Sequence, residues 1–197
     1  MLRRWKRGVG SYHSVIFVPA DSNIQSLDDL RGHSIAFQEP ESTSGFLLPA
    51  GMLRSRGLKL QELEARDSQF DTDSVGFVFT MDDKNTLAWI FRGWVDAAAT
   101  DPQRFEELDR AAPGAFRILA RSIEVPRHVV IRNATLDPNL IRAVTETMIA
   151  MENDEDAAEI MKTFNKTTRF DRFPSGVEAT FAPIYELLGV LRAQGIF

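Results

Sequence analysis

Between Ser14 and Ala120, short apolar runs alternate with segments that carry helix signals, and after Ile131 only helical patterns follow. That alternation constrains the fold more than any other feature. Strands separated by helices pair mainly in parallel, with the helices covering the faces of the sheet. Ser14-Val15-Ile16-Phe17-Val18 is β-branched and stops at Pro19, which predicts a buried strand. Ser26 to Gly32 predicts a capped helical turn closed by glycine, and His33 to Gln38 a second strand. Phe77-Val78-Phe79, Val95 to Ala99, Phe116 to Ala120 and Val129 to Ile131 predict further strands, with helices opening at Asp82-Asp83 and at Pro102. Leu140, Val144 and Met148 predict one apolar helix stripe. Val177, Phe181, Ile184, Leu188 and Leu191 predict a buried helix face. The expected class is α/β with largely parallel sheets.

The chain has 197 residues and 44% hydrophobic content, enough for one or two packed cores. A net charge of −5 argues against nucleic acid as a general partner. Arg3, Arg4, Lys6 and Arg7 crowd the start, but Gly8, Gly10 and Ser11 follow where an export signal would place an apolar run. The chain as given therefore carries no export signal, and the basic start reads as a solvated, frayed terminus. No apolar stretch approaches the ~20 residues of a membrane span. The absence of cysteine excludes disulfides, thiolate catalysis and cysteine-ligated metals, and does not choose a compartment.

Enzymatic signals are weak. His13, His33 and His128 are scattered and lack metal-ligand spacing. Glu152, Asp154, Glu155 and Asp156 lack the pattern of a calcium loop and fit the first turn of a helix. There is no dinucleotide fingerprint, P-loop or nucleophile elbow, and no serine stands in a motif that supplies a base. We expect no catalytic residue, no metal and no cofactor.

The informative stretch is Glu39-Pro40-Glu41-Ser42-Thr43-Ser44-Gly45, which follows a strand and precedes a helix. Ligands of open α/β sheets bind at the carboxyl ends of strands. A helix start there offers free N–H groups and the positive end of a dipole. Ser42, Thr43 and Ser44 add hydroxyls suited to a tetrahedral oxyanion, and Gly45 would let a ligand approach the backbone. Plain N-capping by one hydroxyl, worth ~1 kcal/mol, is the other account of the cluster. Pro49 lies within the helical segment and predicts a late start or a kink.

Tyr12-His13-Ser14-Val15-Ile16-Phe17-Val18, Ser26 to Gly32, Ser42-Thr43-Ser44-Gly45-Phe46-Leu47-Leu48-Pro49 and Gly93-Trp94-Val95-Asp96-Ala97-Ala98-Ala99 together resemble the phosphate/phosphite/phosphonate substrate-binding proteins of ABC transporters. These are type 2 periplasmic binding proteins. The resemblance runs from about Arg4 to Arg132 and continues more weakly through the helical tail. It implies a ligand held between two α/β lobes that close around it, a permease partner and an extracytoplasmic location. It also implies oxyanion contacts from Ser42, Thr43 and Ser44, with Tyr12, Thr100, Asp101, Arg127 and His128 as further walls.

Two departures matter. Members that bind an amino-phosphonate carry a histidine where Asp82 or Asp83 stands, and an acid where Arg127 and His128 follow Val125-Pro126. An anionic or neutral ligand end suits that turn better than an ammonium; a hinge and strand start facing solvent is the alternative account. The chain also begins just ahead of the tyrosine, where the family places earlier strand–helix–strand elements. The resemblance then implies a complete second lobe at 33–121, with 12–32 and 122–197 forming the crossover and a partial first lobe. Apolar surface left by a partial lobe leads to an expectation of self-association or a partner chain. Two other functions share the fold: a ligand-sensing domain of a regulatory protein, and an enzyme like the pyrimidine-precursor synthases of thiamine biosynthesis.

Overall fold

The computed structural model describes residues 1–193 and Gly195. The chain divides into two compact units. Unit 1 comprises Met1–Tyr12 and Glu124–Pro183; unit 2 comprises His13–Ile123 and Ile184–Phe197.

Unit 1 opens the chain with β1 (Leu2–Lys6) and β2 (Ser11–Tyr12). Unit 2 follows with β3 (Val15–Pro19), β4 (Ser34–Phe37), α1 (Leu48–Ser55), β5 (Lys59–Glu62), β6 (Ser74–Phe79), α2 (Asp83–Phe91), β7 (Ala97–Thr100), α3 (Pro102–Ala111) and β8 (Phe116–Arg121). Unit 1 resumes with β9 (Val125–Pro126), β10 (His128–Val130), α4 (Pro138–Ala150), α5 (Glu155–Thr163) and β11 (Thr167–Asp171). Helix α6 (Val177–Ala193) starts in unit 1 and ends in unit 2.

The core of unit 2 is a six-stranded sheet in the order β5-β6-β4-β7-β3-β8. Strands β5, β6, β4 and β7 run parallel, whereas β3 is antiparallel to both β7 and β8. Ile16 and Val18 face one apolar layer, with Phe37, Phe46, Leu53 and Leu191. Val15 and Phe17 face the other, with Ile90, Leu108 and Phe116. Burial on both faces explains why β3 reads as an unbroken apolar run rather than an alternation. Because β3 sits between β7 and β8, the compact unit takes in the chain from His13 onward.

Unit 1 is built on a three-stranded antiparallel sheet, β10-β1-β11. Leu2 and Phe170 pack from it onto Met161 of α5. Strands β2 and β9 form a separate antiparallel pair.

Several expectations need correction. The sheets are not largely parallel: every strand pair of unit 1 and both pairs made by β3 are antiparallel. The basic start is not frayed. Strand β1 is the central strand of its sheet, with Leu2 3% and Arg4 8% exposed. The apolar stripe on α4 is covered at one end: Met148 packs against Leu2, Met161 and Phe170, while Leu140 is 52% and Val144 49% exposed. It walls an apolar groove with Leu2, Val130, Ile131 and Leu136, and no described element fills that groove. On α6 only Leu191 is buried. Spacing sets which residues share a face, and neighbours set whether that face is covered. The acidic run behaves as expected: the Asp154 carboxylate accepts from the Ala157 N–H, with Glu155 and Asp156 in the first turn of α5. Among the described residues no helix is long and apolar enough to cross a membrane.

Candidate functional site

The Ser42–Gly45 segment leaves the carboxyl end of β4 and enters a widened turn over Thr43–Leu47 that leads directly into α1. Pro49 accounts for the widening. It has no N–H to give the Gly45 carbonyl four residues back, and its ring would press on that carbonyl in a regular helix. The Leu47 and Leu48 N–H groups instead bond five residues back, to Ser42 O and Thr43 O. The Gly45 carbonyl is taken by the Gln38 N–H at 3.2 Å. The expected late helix start is therefore real, and its cause is the proline.

Ser42 is the N-cap. Its Oγ accepts from the Gly45 N–H at 3.0 Å and donates to Gln38 Oε1 at 2.7 Å. Its single proton is thus used within the loop. Gly45 has a packing role: a Cβ there would lie 2.6 Å from Gln38 Cβ and 2.7 Å from Ser42 Oγ. The space expected for a ligand beside Gly45 is occupied by those side chains. Ser14, fully buried, donates from its Oγ to Ser44 O at 2.6 Å and ties the turn to the start of β3.

Thr43 and Ser44 remain. They occupy the first two helical positions, where N–H groups have no intrahelical acceptor. Their N–H groups and hydroxyls make no hydrogen bond to the described residues, and both side chains are partly exposed. The last residue of β7, Thr100, is 1% exposed, and its Oγ1 has no partner among the described residues. Such a hydroxyl requires an explanation, because buried polar atoms are nearly always bonded. Next to it, Asp101 caps α3, its Oδ1 accepting from the Gln103 and Arg104 N–H groups at 2.9 and 3.3 Å.

Of the two acids expected in place of a histidine, Asp82 caps α2, its Oδ1 accepting from the Lys84 N–H at 2.7 Å. Burial raises the Asp83 carboxyl above the usual carboxylate range, against the pull of Arg104 3.5 Å away.

The other expected wall residues lie together in unit 1. Tyr12 pairs with Val125, and the Arg127 guanidinium stacks 5.1 Å from the centre of the Tyr12 ring. His128 stands opposite Arg4 in the β1–β10 pairing. Burial first, then the charges of Arg4, Arg127 and Lys6, lower the His128 imidazole to a pKa of about 4. Gln38, Ser14 and Arg4 escaped the sequence reading. Only Gln38 left a local signal, an amide four residues ahead of a capping serine and seven ahead of a glycine.

Over residues 1–174 the chain matches the family model described as the periplasmic substrate-binding protein of phosphonate ABC transporters. The chain belongs to this family. Family members of this kind bind a small-molecule solute for a transporter, work with a permease, and are extracytoplasmic. Among solved structures, the chain resembles XAC2383 from Xanthomonas citri bound to ATP. The TM-score is 0.85 at 27% identity, covering 98% of this chain and 70% of that one. It also resembles PhnD1 from Prochlorococcus marinus in complex with methylphosphonate, with TM-score 0.61, 17% identity, and coverage of 100% and 72%. A third is the binding-protein component of an ABC phosphonate transporter from Pseudomonas aeruginosa, with TM-score 0.61, 16% identity, and coverage of 97% and 62%. The latter two share the type 2 periplasmic-binding fold, and this chain spans only part of each relative's length.

Proposed function

We propose that this chain is a solute-binding module for an ABC transporter and that Thr43 and Ser44 seat a small oxyanion of the phosphate, phosphite or phosphonate type. The observation that carries the reading is the unpaired donor set of those two residues, two N–H groups and two hydroxyls at the start of a helix. The helix dipole adds a favourable field for negative charge. Thr100, at the same end of the sheet, supplies a further hydroxyl that a bound oxyanion would satisfy. Ser42 and Asp101, named with these residues from the sequence, serve in this reading as caps that hold the seat in shape. The module binds and releases; the reading assigns no chemical step.

The test is calorimetry of this chain against inorganic phosphate, phosphite, methylphosphonate and sulfate, beside the double variant Thr43→Ala/Ser44→Ala. The variant is expected to lose the response to the preferred anion while keeping the wild-type melting temperature, since neither hydroxyl supports the helix. Unchanged affinity in the variant would refute the seat.

A further inference from the structure

Helix α2 ends on a chain reversal that presents a tryptophan. Gly93 lies in the left-handed region at φ 64°, its N–H bonded to Ile90 O at 3.0 Å. The Trp94 N–H reaches back to Trp89 O at 2.9 Å. A helix end closed in this way ordinarily sets the residue after the glycine against one in the last turn. Here Trp94 meets Trp89 edge to face, ring centres 5.9 Å apart. That contact accounts for part of Trp94. The residue is nevertheless 37% exposed, and Phe91, the last residue of α2, is 61% exposed.

Two arginines stack on this ring. The Arg92 guanidinium lies 4.8 Å from its centre, and the Arg66 guanidinium, from the loop between β5 and β6, lies 4.3 Å from it. Both arginines are exposed, and neither makes an ion pair among the described residues, although Glu64 and Asp67 flank Arg66 in the chain. Arg3, Arg56, Arg104 and Arg169, by contrast, all approach carboxylates. A stacked guanidinium keeps its N–H donors, because the ring contacts only its face. Trp94 precedes the amino end of β7, whereas Thr43 and Ser44 follow the carboxyl end of the parallel strand β4. The patch is therefore at the other end of the sheet from the oxyanion seat.

We propose that Trp94, Arg66 and Arg92 form a docking surface for the acidic face of a partner protein, whose carboxylates pair with the stacked guanidiniums. Tryptophan and arginine are the residues that most often carry the binding energy of protein interfaces. The planar fork of a guanidinium matches a carboxylate through two N–H donors. Stacking on a shared ring restricts both long side chains before any partner arrives, which lowers the ordering cost of binding. An anionic bilayer is drawn by clusters of about four to eight cations rather than by a fixed pair, so carboxylates on a protein are the better match. The surface does not rest on the Thr43–Ser44 seat.

The experiment follows the Trp94 indole N–H and the Nε–H groups of Arg66 and Arg92 by NMR in the full chain, at low ionic strength. The probe is a synthetic peptide that alternates glutamate and leucine. Saturable shifts at all three groups are expected, and added salt should weaken them. A peptide with lysine in place of glutamate should cause none. Affinity should fall by roughly tenfold or more in Arg66→Gln/Arg92→Gln, read at Trp94. Arg66→Lys/Arg92→Lys should also weaken it, since an ammonium keeps the charge without the fork. Thr43→Ala/Ser44→Ala should leave it unchanged. Both arginines are exposed, so their variants should keep the wild-type melting temperature. A glutamate peptide that leaves Trp94 unmoved would overturn the proposal, as would lysine variants that bind as tightly as the wild type. It also falls if phosphatidylglycerol vesicles move Trp94 where the peptide does not, or if sedimentation shows the chain pairing with itself in a way that the glutamine variant loses.

Discussion

Unit 2 and unit 1 solve the same problem, holding a sheet together, by different means. Unit 2 buries both faces of its sheet, with Phe17 and Phe37 fully enclosed on opposite sides. Unit 1 buries one face, through Leu2, Met161 and Phe170, and dresses the other with stacked cations such as Arg169, 3.8 Å from the Trp5 ring. The polar groups each carries differ accordingly. Unit 2 leaves neutral donors at Thr43 and Ser44, whereas unit 1 sets full charges over its open face and answers them internally, Arg3 against Asp171. Dipolar donors order an anion by shape and direction; cations draw it by charge and are screened by salt.

The strongest way to break this comparison is to hollow out each region. Phe37→Ala, which removes a ring packed against Phe46 and Phe77, should cost about 3–5 kcal/mol in urea denaturation. Leu140→Ala on the open groove of unit 1 should stay within about 0.5 kcal/mol. Equal losses would mean that the groove is filled in solution. Next in size, Gly45→Ala forces a methyl into Gln38 and Ser42, and should destabilise by about 1–3 kcal/mol with loss of oxyanion binding. A smaller effect is expected at the cap: Asp101→Ala should cost about 0.5–2 kcal/mol by thermal melting and leave anion affinity unchanged. Changed affinity would return Asp101 to the ligand wall.

The subtlest test is pH. His128 has a folded pKa of about 4, below its ordinary value of 6.5, so between those values the unfolded chain binds the extra proton. Stability should be level above pH 6.5 and fall as the pH drops toward 4. His128→Asn should flatten that slope, read as melting temperature against pH. A slope identical in the variant would show that another group sets it.

The strands buried on both faces were legible because their sequences have no choice of environment: Val15 to Val18 and Ile35 to Phe37 are apolar throughout. Strand β5 escaped because Lys59 and Glu62 are exposed at a sheet edge and carry no apolar signal. Strand β1 escaped because its cations hide the alternation that Leu2 and Arg4 follow inside the sheet. In the candidate site, the hydroxyl cluster and the late helix start were visible in the chain. The division of work among the hydroxyls was not. Ser42, Thr43 and Ser44 look equivalent in sequence, and only Gln38, folded back onto Ser42, distinguishes the cap from the two that face outward.

That brace separates the residues that shape the turn from those proposed to meet a ligand. Gln38, Ser42, Gly45 and Pro49 hold the turn, while Thr43 and Ser44 bear none of its internal bonds through their side chains. Selection, or a protein engineer, can therefore rewrite the two outward positions without redesigning the scaffold beneath them. On the proposed seat, a change of cargo would need substitutions at only two adjacent codons.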